Sequence, residues 1–179
     1  MKGDEVSRME TPRELFLHEL SDLLDAEQII TTMLPELQKE ARHPEVKAAF
    51  KEHEAETKEQ IKRLNKVFMQ LGEEPEETTC YGTEGLKREH KALHEEKPTP
   101  DVLEMANLLG ASKTEHYEIA SYAGLIQMAR DLGEREVADL LKKTLDEEQA
   151  MSKRVSALAK ELGKEAKAAA KEAAAAASS

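Results

Sequence analysis

Between Lys113 and Tyr122 the chain reads KTEHYEIASY, with Glu115 and Glu118 three residues apart beside His116. That spacing puts both carboxylates on one side of a helix. Their line continues through Leu108, Ala111, Tyr122 and Leu125, whose types belong in a core, while His116 falls on the adjoining line with Leu109, Ser112, Ile119 and Ala123. Carboxylates aimed inward, with an imidazole near them, form a ligand set that suits iron or manganese.

Three other segments raise the same question. Glu27 lies seven residues after Leu20, four after Leu23 and seven before Leu34, so helical periodicity sets it on a core line. His53 follows Phe50 by three, and His53, Glu56 and Gln60 form an i, i+3, i+7 line along the edge of that stripe, with Thr57 at its centre. Glu148 stands seven after Leu141, four after Thr144 and seven before Val155. Each segment brings an acid to the middle of an apolar stripe.

Carboxylates that converge in a core cannot all stay ionised and unpaired, because burying a lone charge costs several kcal/mol or more. The inner stripes near these positions show no obvious lysine or arginine. Metal ions bridged by carboxylates, with histidine completing the shell, are a solution that four-helix bundles use. Against this stands a plainer reading, in which a charge-rich chain carries glutamates everywhere and a single histidine is a surface or hydrogen-bonded residue. Tyr117 and Tyr122 read as packing residues with a polar tip, and Met33, Met105, Met128 and Met151 as core filler. The coincidence across four segments favours metal.

The elements that must position these residues are long helices. The first opens on Thr11-Pro12-Arg13-Glu14, a capping box with proline at the first helical position, and its stripe runs through Phe16, Leu20, Leu23, Ile30 and Leu34. Pro35 should kink or interrupt it. The second runs from near Pro44 to Leu71 with Gly72 as its stop, and carries Phe50, Ile61, Leu64, Phe68 and Leu71. Glu73 to Pro98 is a long connection rich in breakers, with LKREHKALHEE at best a short, mostly exposed helix. The third starts after Thr99-Pro100 and ends at Gly133; the fourth runs from about Glu134 through Leu158.

Two helical hairpins joined by one long link predict an all-α, ferritin-like four-helix bundle whose single crossover spans the bundle's length. The expected divisions are a flexible N-terminus over 1–10, the bundle over 11–162, and an Ala/Lys-rich low-complexity tail over 163–179, frayed or disordered for want of an apolar face.

Composition agrees with helices. The 179 residues are 39% hydrophobic, 35% charged and only 3% aromatic, which disfavours sheet. A net charge of −11 argues against nucleic acid or an anionic membrane as partner. The opening MKGDEVSRME lacks the apolar stretch of a secretory signal, and no window reaches the roughly 18 uninterrupted apolar residues of a membrane span. A cytoplasmic protein is expected. One cysteine, Cys80, leaves no partner for an internal disulfide and no CxxC motif, so a metal would need oxygen and nitrogen ligands.

Taken in order, LFLHELSDLLDAEQ, AAFKEHEAETKEQIKRL, CYGTEGL, KTEHYEIASY and LLKKTLDEEQA resemble the bacterial ferritin-like stress-response proteins of the YciE/YciF type, over roughly Pro12 to Leu158. The resemblance implies a ferritin-like bundle, paired as a homodimer, with a rubrerythrin-like dinuclear iron site. It carries over Glu27, His53, Glu56, Glu115, Glu118 and Glu148 as metal ligands; Tyr122 is read separately, from its place on the same line, as a hydrogen-bond or redox partner beside them. Two departures stand out: His53-x-x-Glu56 reverses the usual Glu-x-x-His order, and Met151 holds the position where a histidine would follow Glu148.

The expectation is therefore an iron- or manganese-binding bundle, handling peroxide or O2 in stress as an oxidoreductase of peroxidase or ferroxidase type. An iron-storing cage is a related alternative. The competing expectation is a metal-free structural or interaction protein that acts through its acidic surface.

Overall fold

The structure is a computed structural model and describes residues 9–177. Five helices follow one another: α1 (Pro12–Glu40), α2 (Pro44–Leu71), α3 (Tyr81–Glu95), α4 (Pro100–Asp131) and α5 (Arg135–Ala177). Helices α1, α2, α5 and α4 form a closed ring of neighbours, and α3 lies against α1 and α4.

Local chemistry sets the ends. Thr11 caps α1 by accepting from Glu14 N, and Glu14 in return accepts from Thr11 N. Gly72 closes α2 at φ 70°, the left-handed region where glycine carries no steric cost. Between α1 and α2, the buried Glu104 of α4 accepts from the backbone amides of Arg42 and His43, which satisfies donors that the tight connection leaves free.

Contacts at the two ends give the topology. Arg13, at the start of α1, bonds Leu71 O at the end of α2 and Glu134 at the start of α5. Arg42, past the end of α1, pairs with Asp101 at the start of α4. The link from α2 to α4 therefore runs the length of the bundle, as expected of the single crossover. It is pinned to α1 on the way: Glu76 N donates to Ser21 Oγ at 3.0 Å and Cys80 N to Asp25 Oδ2 at 2.8 Å.

Four details differ from the sequence reading. The helix in the link is longer than expected, at 15 residues, because Cys80 and Thr83 anchor its start in the core. Pro35 does not interrupt α1, which holds buried Leu34 and Leu37 on either side of it. Met105 is 46% exposed instead of filling the core. The fourth long helix also continues past Leu158: Leu162 is buried, and the Ala/Lys-rich segment beyond stays helical and mostly exposed to Ala177, as its high intrinsic propensity favours. Residues 1–8 of the N-terminal segment and residues 178 and 179 of the tail lie outside the described residues.

The core is divided in two. One apolar cluster gathers Phe16, Leu20, Leu23, Phe68, Leu125 and Leu141 with their neighbours. The other gathers Ile30, Leu34, Phe50, Leu108, Met151 and Val155. Between them, every helix of the ring turns polar: Glu27 on α1, His53, Thr57 and Gln60 on α2, Glu115 and Glu118 on α4, and Thr144 and Glu148 on α5 are all buried. No helix among the described residues is long and apolar enough to cross a membrane.

Candidate metal centre

The polar layer is crowded. One ligand atom each from His53, Glu115, Glu118 and Glu148 lies within 4.8 Å of the others, and the four residues are between 0% and 4% exposed. Helical spacing accounts for the convergence: Glu115 and Glu118 share one face of α4, while His53 and Glu148 occupy the inward stripes of α2 and α5. His53 Nε2 stands 3.3 Å from Glu115 Oε1.

Glu27 completes the layer from the side of α1. Fully buried, it accepts a 2.5 Å hydrogen bond from the Tyr122 hydroxyl and borders Glu118. Glu148 accepts from Gln60 Nε2. These bonds cover only part of the acceptor capacity. Glu27 Oε2, Glu115 Oε2, both oxygens of Glu118, Glu148 Oε2 and both ring nitrogens of His53 are buried without a hydrogen bond.

Buried orphan acceptors at this density are rare in native proteins. Their electrostatics reflect the crowding. Burial, then the Glu148 charge, pushes Glu27 up to about 8 against the opposing Tyr122 hydrogen bond. Glu115 rises to about 10 from the same two causes. Burial and the charges of Glu148 and Glu27 drive Glu118 well above the carboxylate range, and burial raises Glu148 as well. Without a cation, the layer must hold protons.

Glu56 stands apart from the other five residues. Its step of three from His53 turns it to the rim, where the side chain is 46% exposed and lies 3.9 Å from His53 Nδ1. His53 beside it lowers its pKa. The buried stripe of α2 runs instead through Thr57 and Gln60. His116 is exposed, its Nδ1 near Ser112 O.

The inner stripes of the sequence show no obvious cation near the layer, yet Arg63 reaches it from the side. Its guanidinium grips both oxygens of Glu147 at 2.8 and 2.9 Å and also bonds Thr144. That charge is committed to Glu147, and the buried acids keep only its distant influence. The signal was faint, a long side chain off the stripe whose head group swings inward.

An apolar cavity of about 200 Å³ adjoins the layer, lined by residues of all five helices, with Met33, Leu93 and Leu109 among its walls. His53 and Glu115 line it. A small molecule in this cavity would meet the polar layer there.

A family model described as "Domain of unknown function (DUF892)" matches residues 11–169. The chain belongs to this family. Protein YciF of Escherichia coli (strain K12) is 36% identical over 152 residues, which cover 84% of this chain and 92% of YciF. The crystal structure of the E. coli stress protein YciF matches with a TM-score of 0.84 at 35% identity, covering 87% of this chain and 99% of that one. YcfI from Rhodopseudomonas palustris, whose description proposes a structural role, matches with a TM-score of 0.80 at 34% identity over 87% and 97% of the two chains. The resemblance to YciF-type stress proteins therefore holds over nearly the whole bundle.

Proposed function

We propose that this protein is a metal-binding stress protein whose central layer holds two divalent ions, iron or manganese, and that it handles peroxide or O2 there. The observation that carries this reading is the set of buried acceptors without donors. Four carboxylates, Glu27, Glu115, Glu118 and Glu148, would carry four negative charges, which two divalent ions would balance. Oxygen ligands with one imidazole suit such cations. Each helix of the ring contributes to this set, as in other dinuclear bundles.

When bound, a pair of ferrous ions supplies the electrons that reduce peroxide or O2. The chain's own part is orientation and exclusion. Tyr122 fixes the Glu27 carboxylate and Gln60 fixes Glu148, while Glu56 on the rim side puts a carboxylate 3.9 Å from His53 Nδ1. The two apolar clusters close the layer from either end of the bundle. Pairing into a homodimer belongs to the same reading, supported by the exposed stripe Val102, Met105 and Leu109 on α4.

The test is peroxide consumption by protein loaded anaerobically with ferrous iron, beside Glu118→Gln loaded identically. Turnover by the wild type alone supports the reading; equal rates in both would overturn it. A structural role, the one given for YcfI, is the second reading, and here it would be metal-free. In that reading, protonated glutamates would share hydrogen bonds across the layer.

A further inference from the structure

Away from the bundle centre, a second group of metal-ligand side chains assembles where three helices meet. Glu40 is the last residue of α1, and His90 and His94 sit four apart on one face of α3. Their ligand atoms all lie within 4.8 Å of one another. Nε2 of His90 is 3.1 Å from Glu40 Oε2, and Nε2 of His94 is 2.8 Å from Oε1. The two rings are 4.9 Å apart, nearly edge to face.

Glu40 is an ill-placed acid by itself. The C-terminal end of a helix carries the negative pole of the backbone dipoles, which disfavours a carboxylate and favours a cation. No lysine or arginine pairs with it among the described residues; its partners are the two histidines and Asn107, which donates from α4 at 2.7 Å. His94 Nε2, despite its short distance, lies off the line a hydrogen bond needs and is buried without one. That nitrogen is thus left without a hydrogen-bond partner, within 2.8 Å of a carboxylate oxygen.

We infer that Glu40, His90 and His94 form a second cation site, taking one zinc-like divalent transition ion independently of the central layer. Two imidazoles and one carboxylate are a ligand set that zinc accepts with water in the remaining position. Zinc–nitrogen bonds of about 2.0–2.1 Å in a tetrahedron place ligand atoms about 3.4 Å apart, close to the 3.1 and 2.8 Å between the two ring nitrogens and the Glu40 oxygens. Asn107 holds Glu40 from behind, the outer support that ligating carboxylates usually have. Such an ion would tie the crossover helix to α1, beside the cavity that His90 and Asn107 line and that reaches His53 and Glu115.

The experiment uses the full chain carrying Glu115→Gln and Glu118→Gln, so that zinc in the central layer does not contribute. Calorimetric titration with zinc chloride should then show one ion per chain, and cobalt should give the visible d–d bands of a low-symmetry site. Adding His94→Gln, which keeps the bulk and removes the imidazole, should abolish both signals while circular dichroism stays unchanged. His90→Gln should do the same. Absence of saturable zinc binding in the parent, or binding that survives both histidine substitutions, would overturn the inference. Neither result bears on iron in the central layer, which is measured with the central glutamates intact.

Discussion

Tyr122 of α4 and Glu27 of α1, both fully buried, are joined by a 2.5 Å hydrogen bond in which the phenol donates to Oε1. The other carboxylate oxygen, Oε2, has no hydrogen-bond partner. Tyr122→Phe keeps the ring and deletes the donor. Leaving a buried acceptor unsatisfied costs about 1–3 kcal/mol, and losing a ligand's orienting partner lowers metal affinity by about 10–100-fold. Denaturant midpoints of the metal-free variant, with iron competition against a chelator, check both numbers. An unchanged iron affinity would separate Glu27 from the site.

The raised carboxyls fix the sign of the pH dependence in metal-free protein. A native-state glutamate at about 8 or about 10 holds a proton that the unfolded chain, near 4.5, has released. Stability is then complete below about 4.5 and is lost as pH rises through the folded values, by about 1.4 kcal/mol per pH unit for each proton held. Thermal melts of metal-free protein should therefore peak on the acid side of neutrality and fall steadily toward pH 9. Metal binding should release protons and strengthen as pH rises. A flat profile between pH 5 and 9 would mean that the layer is already compensated.

Two glycines of α3 separate packing from propensity. A Cβ at Gly82 would lie 2.6 Å from the Tyr117 ring, and that ring is held by Asp22 at 3.2 Å and Cys80 Sγ at 3.1 Å. Gly85 has nothing within 4 Å of its Cβ position. Gly85→Ala should stabilise by roughly 0.5–1 kcal/mol, the usual gain in a helix. Gly82→Ala should instead destabilise by about 1–3 kcal/mol as Tyr117 is displaced. Melting temperatures of opposite shift are the expected outcome; two increases would mean that Tyr117 moves aside freely.

Glu56 offers a test of rank among the candidate ligands. Because it faces the rim beside His53, Glu56→Gln should weaken iron binding by about tenfold without abolishing it. Glu118→Gln, at the buried centre, should remove it. Isothermal titration of both variants with ferrous iron under anaerobic conditions distinguishes them, and equal loss would move Glu56 into direct ligation.

The bundle was legible because its signals are local. The capping box at Thr11, the stop at Gly72 and the period of Phe16, Leu20 and Leu23 depend on neighbours within a few turns. The same periodicity led from Leu23 to Glu27 and from Leu141 to Glu148, and so to most of the central layer. What escaped depends on pairs distant in sequence. The crossover helix is held by Gly82 against Tyr117 and by Cys80 N on Asp25, and neither contact leaves a pattern in LKREHKALHEE. Arg63 reaches Glu147 across 84 residues through a flexible side chain. His90 and His94 show helical spacing, but nothing in the sequence joins them to Glu40.

On the proposed reading, metal balances the buried acids of α1, α4 and α5, with His53 of α2 beside them. The most direct test of this reading is iron content per chain by elemental analysis, after anaerobic loading with ferrous iron and gel filtration, for the wild type beside Glu115→Ala. Close to two ions per chain are expected in the wild type, and their loss in the variant. Iron retained by neither protein, with both folded, would contradict it and leave a helical bundle whose central layer is held by protons.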